Sequence, residues 1–164
     1  MAEQGQEVMR MEFSHGNVRR WFDDYFADFN RCNGNPKLVP NMKKYFTDDL
    51  QFVSYILNVK RPDNRTGLLK TMIHPGLLEE LTPEDVLIDV ERKAVAVILR
   101  VQFKEEATGI LFPVKHNCAL YTLIEDKNGE LKIRKISYFT EHRPPEEPDM
   151  KSLMKKYREK ALFS

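Results

Sequence analysis

The sequence predicts a single α+β domain in which helices come first and antiparallel strands follow. Three observations carry this. A six-residue apolar stripe at helical spacing opens the chain, two shorter helical segments follow it, and from Asp85 onward the apolar period switches to two. The length, 164 residues, is that of one domain. With 41% hydrophobic and 31% charged residues the chain is too apolar to be disordered. No apolar run approaches the ~18 residues of a spanning helix, and the N-terminus carries no apolar signal region. Cys32 and Cys118 are too few for a disulfide framework, which points to a reducing, cytoplasmic setting. Twenty-six basic residues meet 25 acidic ones, so no global field draws nucleic acid or a membrane.

Val18, Trp21, Phe22, Tyr25, Phe26 and Phe29 share one helical stripe, with Arg19, Arg20, Asp23 and Asp24 outside it. Ser14 or Asn17 suits the N-cap, and Asn33-Gly34 suits the stop. So aromatic a stripe needs a broad apolar surface to lie against. A second helix is expected over residues 40–46, with Pro40 in its first turn and Leu38, Val39, Met42, Tyr45 and Phe46 inward. Thr47-Asp48-Asp49 is expected to break it, and residues 50–57 read as a strand rich in Phe, Val, Tyr and Ile. Residues 58–66 read as a loop. A short third helix, capped by Thr66 and presenting Leu68, Leu69, Met72 and Ile73, ends at His74-Pro75-Gly76.

Residues 86–91, 94–104, 110–125 and 131–140 read as four strands. Arg92-Lys93, Ala107-Thr108-Gly109 and Lys127-Asn128-Gly129 supply short turns between them, so an antiparallel meander is expected. A proline-rich hinge from Arg143 to Pro148 leads to a last helix over residues 149–162. Its Met150, Leu153, Met154 and Tyr157 share one face, and lysines crowd the other.

This order of elements, together with Lys44-Tyr45-Phe46-Thr47-Asp48-Asp49-Leu50-Gln51-Phe52, resembles the ketosteroid-isomerase-like, SnoaL-like superfamily. That superfamily also holds nuclear transport factor 2 and scytalone dehydratase. The resemblance covers residues 17–140. It implies a curved antiparallel sheet wrapped around the N-terminal helices into a cone, whose open interior takes an apolar small molecule. The chain then divides into a loose arm (1–13), the cone domain (14–141), and a hinge with an extra C-terminal amphipathic helix (142–164). In this reading the apolar stripe of the last helix caps the cone mouth, as a C-terminal segment does in scytalone dehydratase.

Tyr25 matches the superfamily's first-helix tyrosine, which the resemblance makes a hydrogen-bond donor to a carbonyl or oxyanion. Packing alone also accounts for an aromatic there. The steroid isomerases' general-base aspartate falls on Ser54, and residues 50–57 contain no carboxylate. Tyr55 points to the face opposite Ser54, and if inward it would pair with Tyr25 as tyrosines do in scytalone dehydratase. His116, alternating with Phe112, Val114, Cys118 and Leu120, is expected inside the cone as the acid or base. Trp21, Phe29, Ser54, Phe103 and Cys118 are the expected substrate contacts. Arg100 and Gln102 are expected to face outward, on a sheet surface that forms a homodimer. No metal-ligand spacing, phosphate loop or nucleophile elbow occurs, so no metal and no cofactor are expected. Two functions follow. One is a cofactor-independent dehydratase, cyclase or isomerase acting on an apolar substrate, and the other is a non-catalytic ligand-binding or dimerisation module. An open interior with converging polar groups favours the first, and a plugged one the second.

Overall fold

The computed structural model describes residues 12–56 and 59–163. The expected docking of the arm by Val8, Met9 and Met11 lies outside them. Helix α1 (His15–Cys32) starts where the Ser14 side chain accepts the Asn17 N–H, and it buries Val18, Phe22, Tyr25, Phe26, Phe29 and Cys32. It stops at Asn33, followed by Gly34 at φ +80°, where a side chain would be strained.

The expected second helix is a 3-10 helix, Val39–Tyr45, and Phe46 already belongs to the next strand. Strand β1 (Phe46–Ile56) runs straight through Thr47-Asp48-Asp49, which was expected to break the chain. A bulge between Phe46 and Gln51 absorbs the irregularity, and both aspartates stay in solvent facing Arg65 and Arg134. Within the expected loop, β2 (Val59–Asp63) pairs antiparallel with β1 as an edge strand, where Pro62 needs no ladder donor. Helix α2 (Arg65–Thr71) is capped by Asn64 rather than Thr66, because the Asn64 side chain reaches the Gly67 N–H.

Strands β3 (Leu77–Asp89), β4 (Ala94–Glu105), β5 (Lys115–Glu125) and β6 (Leu131–Phe139) form the expected antiparallel meander. The sheet order is β2-β1-β6-β5-β4-β3, and the β1–β6 pairing is parallel. Strand β3 starts nine residues before the expected start at 86. Its Leu77, Glu79 and Leu81 alternate inward, and Pro83 sits at a bulge on an edge strand, so neither glutamates nor proline stop it. Strand β5 starts at 115, not 110, because Gly109 turns the chain at φ +72° and Pro113 has no N–H to donate.

Helix α1 lies across the concave face and also closes the β3 edge. Asn30 exchanges two hydrogen bonds with the Leu81 backbone, at 2.9 and 2.8 Å, and Asn33 donates to the Glu79 carbonyl at 2.7 Å. Side-chain amides thus occupy edge groups that would otherwise be open to another strand. Helix α3 (Met150–Leu162), capped by Asp149, packs Met150, Leu153, Met154 and Tyr157 onto the core. The result is a curved, unclosed six-stranded sheet with helices inside it and across its mouth.

Candidate functional site

The concave face does not fill completely. A cavity of about 320 Å³ remains between the sheet, the C-terminal half of α1, α2 and α3. That is the lower end of the range for small-ligand sites. Its wall is mostly apolar, with Phe29, Phe46, Phe52, Leu81, Ile136 and Met154 among the lining residues.

Three tyrosines reach this cavity from three elements: Tyr25 on α1, Tyr121 on β5 and Tyr138 on β6. Desolvation raises all three phenols well above their ordinary value, so each is neutral at physiological pH. Tyr25 and Tyr121 are hydrogen-bonded to each other, with ring centroids 6.0 Å apart. Tyr138 accepts from Asn117 Nδ2 at 2.9 Å, which leaves its own proton to give. Asn117 is held in turn, because its Oδ1 accepts the Glu141 N–H at 2.9 Å.

One carboxylate joins them. Glu79 comes from the inward register of β3, lines the cavity, and lies 3.6 Å from Nε2 of the fully buried His74. Its charge adds to the raising of Tyr25 and Tyr138. At the mouth, α3 contributes Lys151, Lys155 and Arg158. Lys151 Nζ donates to the buried Ser54 hydroxyl at 3.3 Å. Arg158 is bound to the carbonyls of Lys70, Thr71 and Ile73, which ties α3 to the C-terminal end of α2.

Of the residues expected from sequence, Tyr25, Phe29 and Ser54 meet in the cavity. The others do not. His116 lies on the outer face, half exposed, 3.3 Å from Glu84 and 4.0 Å from Glu141, so the apolar surroundings expected for it are absent. Cys118 shares that outer face. The inward residues of β5 are Asn117, Ala119, Tyr121 and Leu123, one position out of phase with the expectation, and a one-residue slip turns every side chain of a strand over. Tyr55 is also outward, stacked on Phe139 with centroids 4.6 Å apart, so it forms no pair with Tyr25. Trp21 packs behind the cavity against Tyr25 and Tyr45, and Phe103 packs beside His74; neither lines it. Sequence reasoning missed Tyr121, Tyr138 and Glu79. The alternations Ala119-Tyr121-Leu123 and Ile136-Tyr138 carried a signal for the tyrosines. Glu79 had none once residues 77–85 were not read as strand.

Among the described residues no cluster of His, Cys, Asp or Glu is arranged to hold a metal ion. No helix among them is long and apolar enough to cross a membrane.

No family model and no curated protein matches the chain. Solved structures do. A scytalone dehydratase-like protein from Novosphingobium aromaticivorans DSM 12444 is 14% identical, covering 80% of this chain and 93% of its own, with a TM-score of 0.59. SalBIII, described as an epoxide hydrolase/cyclase-like enzyme in pyran ring formation in the polyether salinomycin, is 15% identical. The match covers 79% of this chain and 95% of that one, with a TM-score of 0.58. A nuclear transport factor 2-like protein of unknown function from Shewanella baltica OS155 is 11% identical, covering 79% and 98%, with a TM-score of 0.53. At these identities the likeness is one of fold. The chain has the nuclear transport factor 2-like cone, and its structural neighbours include both enzymes and proteins of unknown function.

Proposed function

We propose that the chain is an enzyme of the lyase or isomerase type, working by side-chain acid–base chemistry on an apolar small molecule held in the cone. One observation carries this reading: three neutral tyrosine hydroxyls and one carboxylate line the same, mostly apolar cavity. Packing does not call for that combination. Polar groups in an apolar wall serve to orient a ligand or stabilise charge on it. Tyr25 keeps the donor role the sequence suggests, Tyr121 and Tyr138 join it, and His116 has no part in the site.

The working assembly in this proposal is a homodimer through the outer face of the sheet, in a cytoplasmic setting. Ile98, Cys118, Phe139 and Tyr55 lie side by side in register across β4, β5, β6 and β1. Ile98 and Phe139 are 37% and 45% exposed, which is a contiguous apolar row in solvent.

Native mass spectrometry of the freshly purified protein tests the enzyme reading. The expected result is a bound apolar molecule, converted on incubation with fresh protein. A bound molecule that is never altered would instead support the non-catalytic binding module, and an empty protein with no affinity for apolar compounds would remove both.

A further inference from the structure

We propose that the ligand of the cone is an apolar monocarboxylic acid held with its head outward. Its carboxylate sits against Lys151 and Ser54 at the mouth, and its apolar body fills the cavity. This rests on the cavity being the ligand site.

Helix α3 turns two different faces to the rest of the molecule. Met150, Leu153 and Tyr157 pack onto the core, as an amphipathic helix requires. The residues of α3 that line the cavity are Lys151, Met154, Lys155 and Arg158. Their spacing is i, i+3, i+4 and i+7, which makes one continuous stripe. A helix that only closed an apolar void would bring apolar side chains to all four places, because covering apolar wall is what such closure gains. Three of the four are cations. Packing accounts for Met154 and not for the others.

Each cation is held differently. Arg158 gives Nε and Nη2 to the carbonyls of Lys70, Ile73 and Thr71, at 2.9, 3.1 and 3.2 Å, so it meets neutral oxygens there rather than a carboxylate. Lys155 Nζ stands 3.9 Å from Glu159, and both side chains are largely exposed, which makes a loose solvent pair. Lys151 is anchored to the cavity wall. Its Nζ donates to Ser54 Oγ at 3.3 Å, and Ser54 is only 3% exposed. An ammonium has no lone pair, so Ser54 accepts and keeps its own proton to give. One rim of an apolar cavity thus presents an N–H and an O–H side by side, the pair of donors that the two oxygens of a carboxylate accept.

Glu79 also lines the cavity and would repel a second carboxylate placed beside it. It stands on edge strand β3, whereas Ser54 stands on β1, with β6, β5 and β4 between them in the sheet. Attraction at the α3 rim and repulsion at Glu79 therefore select the same orientation of the acid.

The probes are 2-naphthylacetate and its neutral amide, 2-naphthylacetamide, titrated into the full chain by calorimetry. The acid is expected to bind about 10-fold tighter than the amide at low ionic strength, and the gap is expected to narrow as salt is added. Lys151→Gln is expected to remove most of the preference while the amide keeps its affinity within about threefold. Overhauser contacts from the naphthyl protons to the methyl groups of Ile136 and Met154 are expected to place the body in the cavity. Should Lys151→Gln disturb the fold, the salt dependence of the wild-type protein decides. An amide that binds as tightly as the acid overturns the proposal and leaves the cavity a site for neutral ligands. A preference indifferent to salt, or undiminished in Lys151→Gln, overturns it too, as do Overhauser contacts confined to residues outside the cavity. If neither probe binds, the proposal and the reading of the cavity as the ligand site fall together.

Discussion

Tyr25 and Tyr121 show how burial decides chemistry at the scale of single residues. Each hydroxyl is desolvated and hydrogen-bonded to the other, so neither ionises in the physiological range. Removing one donor from such a pair costs the other its partner as well as the ligand its contact. Tyr121→Phe should therefore lower stability by about 1–3 kcal/mol in a urea titration. Asp28 makes a different residue-scale prediction. The Tyr45 hydroxyl at 2.5 Å, then Arg31 at 2.9 Å, hold its carboxyl well below the ordinary carboxylate value of 3.8; Lys44 adds to this. A group depressed in the folded state adds stability above its unfolded value, and that stability is lost as pH falls through the folded one. Wild type should therefore melt higher than Asp28→Asn at pH 7, and the gap should close only below about pH 4. His116 marks the limit of reading single residues from sequence. Its apolar neighbours Phe112 and Val114 precede the strand, so the alternation that seemed to place it inward was counted from the wrong start.

At the scale of elements, α3 is the part the cavity depends on most. It is fastened by Arg158 on the end of α2, by Tyr157 on Glu105, and by the Lys115–Glu147 ion pair at the hinge. Tyr157 also packs on Gly76, where an added Cβ would stand 3.0 Å from the ring in a backbone conformation that side chains rarely adopt. Gly76→Ala should cost about 1–2 kcal/mol and loosen α3. Hydrogen exchange should rise along Met150–Leu162 while Val95–Val101 stays protected. Protection unchanged in α3 would mean that the helix is not held there. The amphipathic pattern made this helix legible, as it did α1. Strand β3 was hidden because Glu79, Glu80 and Glu84 interrupt its apolar run and Pro83 reads as a break. An edge strand tolerates both, and nothing local in the sequence says that this strand is an edge.

The whole molecule is a packed shell around a small void. Phe22 sits at its centre, 1% exposed and in edge contact with Tyr121 and Trp21, so Phe22→Ala should cost about 3–5 kcal/mol. The fold was legible because the period switch from helical to alternating spacing is a global signal that survives errors of a few residues. The interior of the cone was less so, because it depends on strand phase. The outer face was read correctly in β4, where Arg100 and Gln102 share one side and form a hydrogen bond of 3.3 Å. A dimer through that face should give about twice the chain mass by light scattering at micromolar concentration. Leu120→Glu should return it to a monomer without lowering the melting temperature by more than a few degrees.

The most direct test of the account is to ask which tyrosines feel a ligand. With ring-labelled tyrosine and 2-tetralone, an apolar bicyclic ketone, added to saturation, the signals of Tyr25, Tyr121 and Tyr138 should move, because all three line the cavity. Tyr55, stacked on Phe139 on the outer face, should not. Shifts confined to Tyr55, or spread equally over all six tyrosines of the chain, would contradict the claim that the cone interior is the working site.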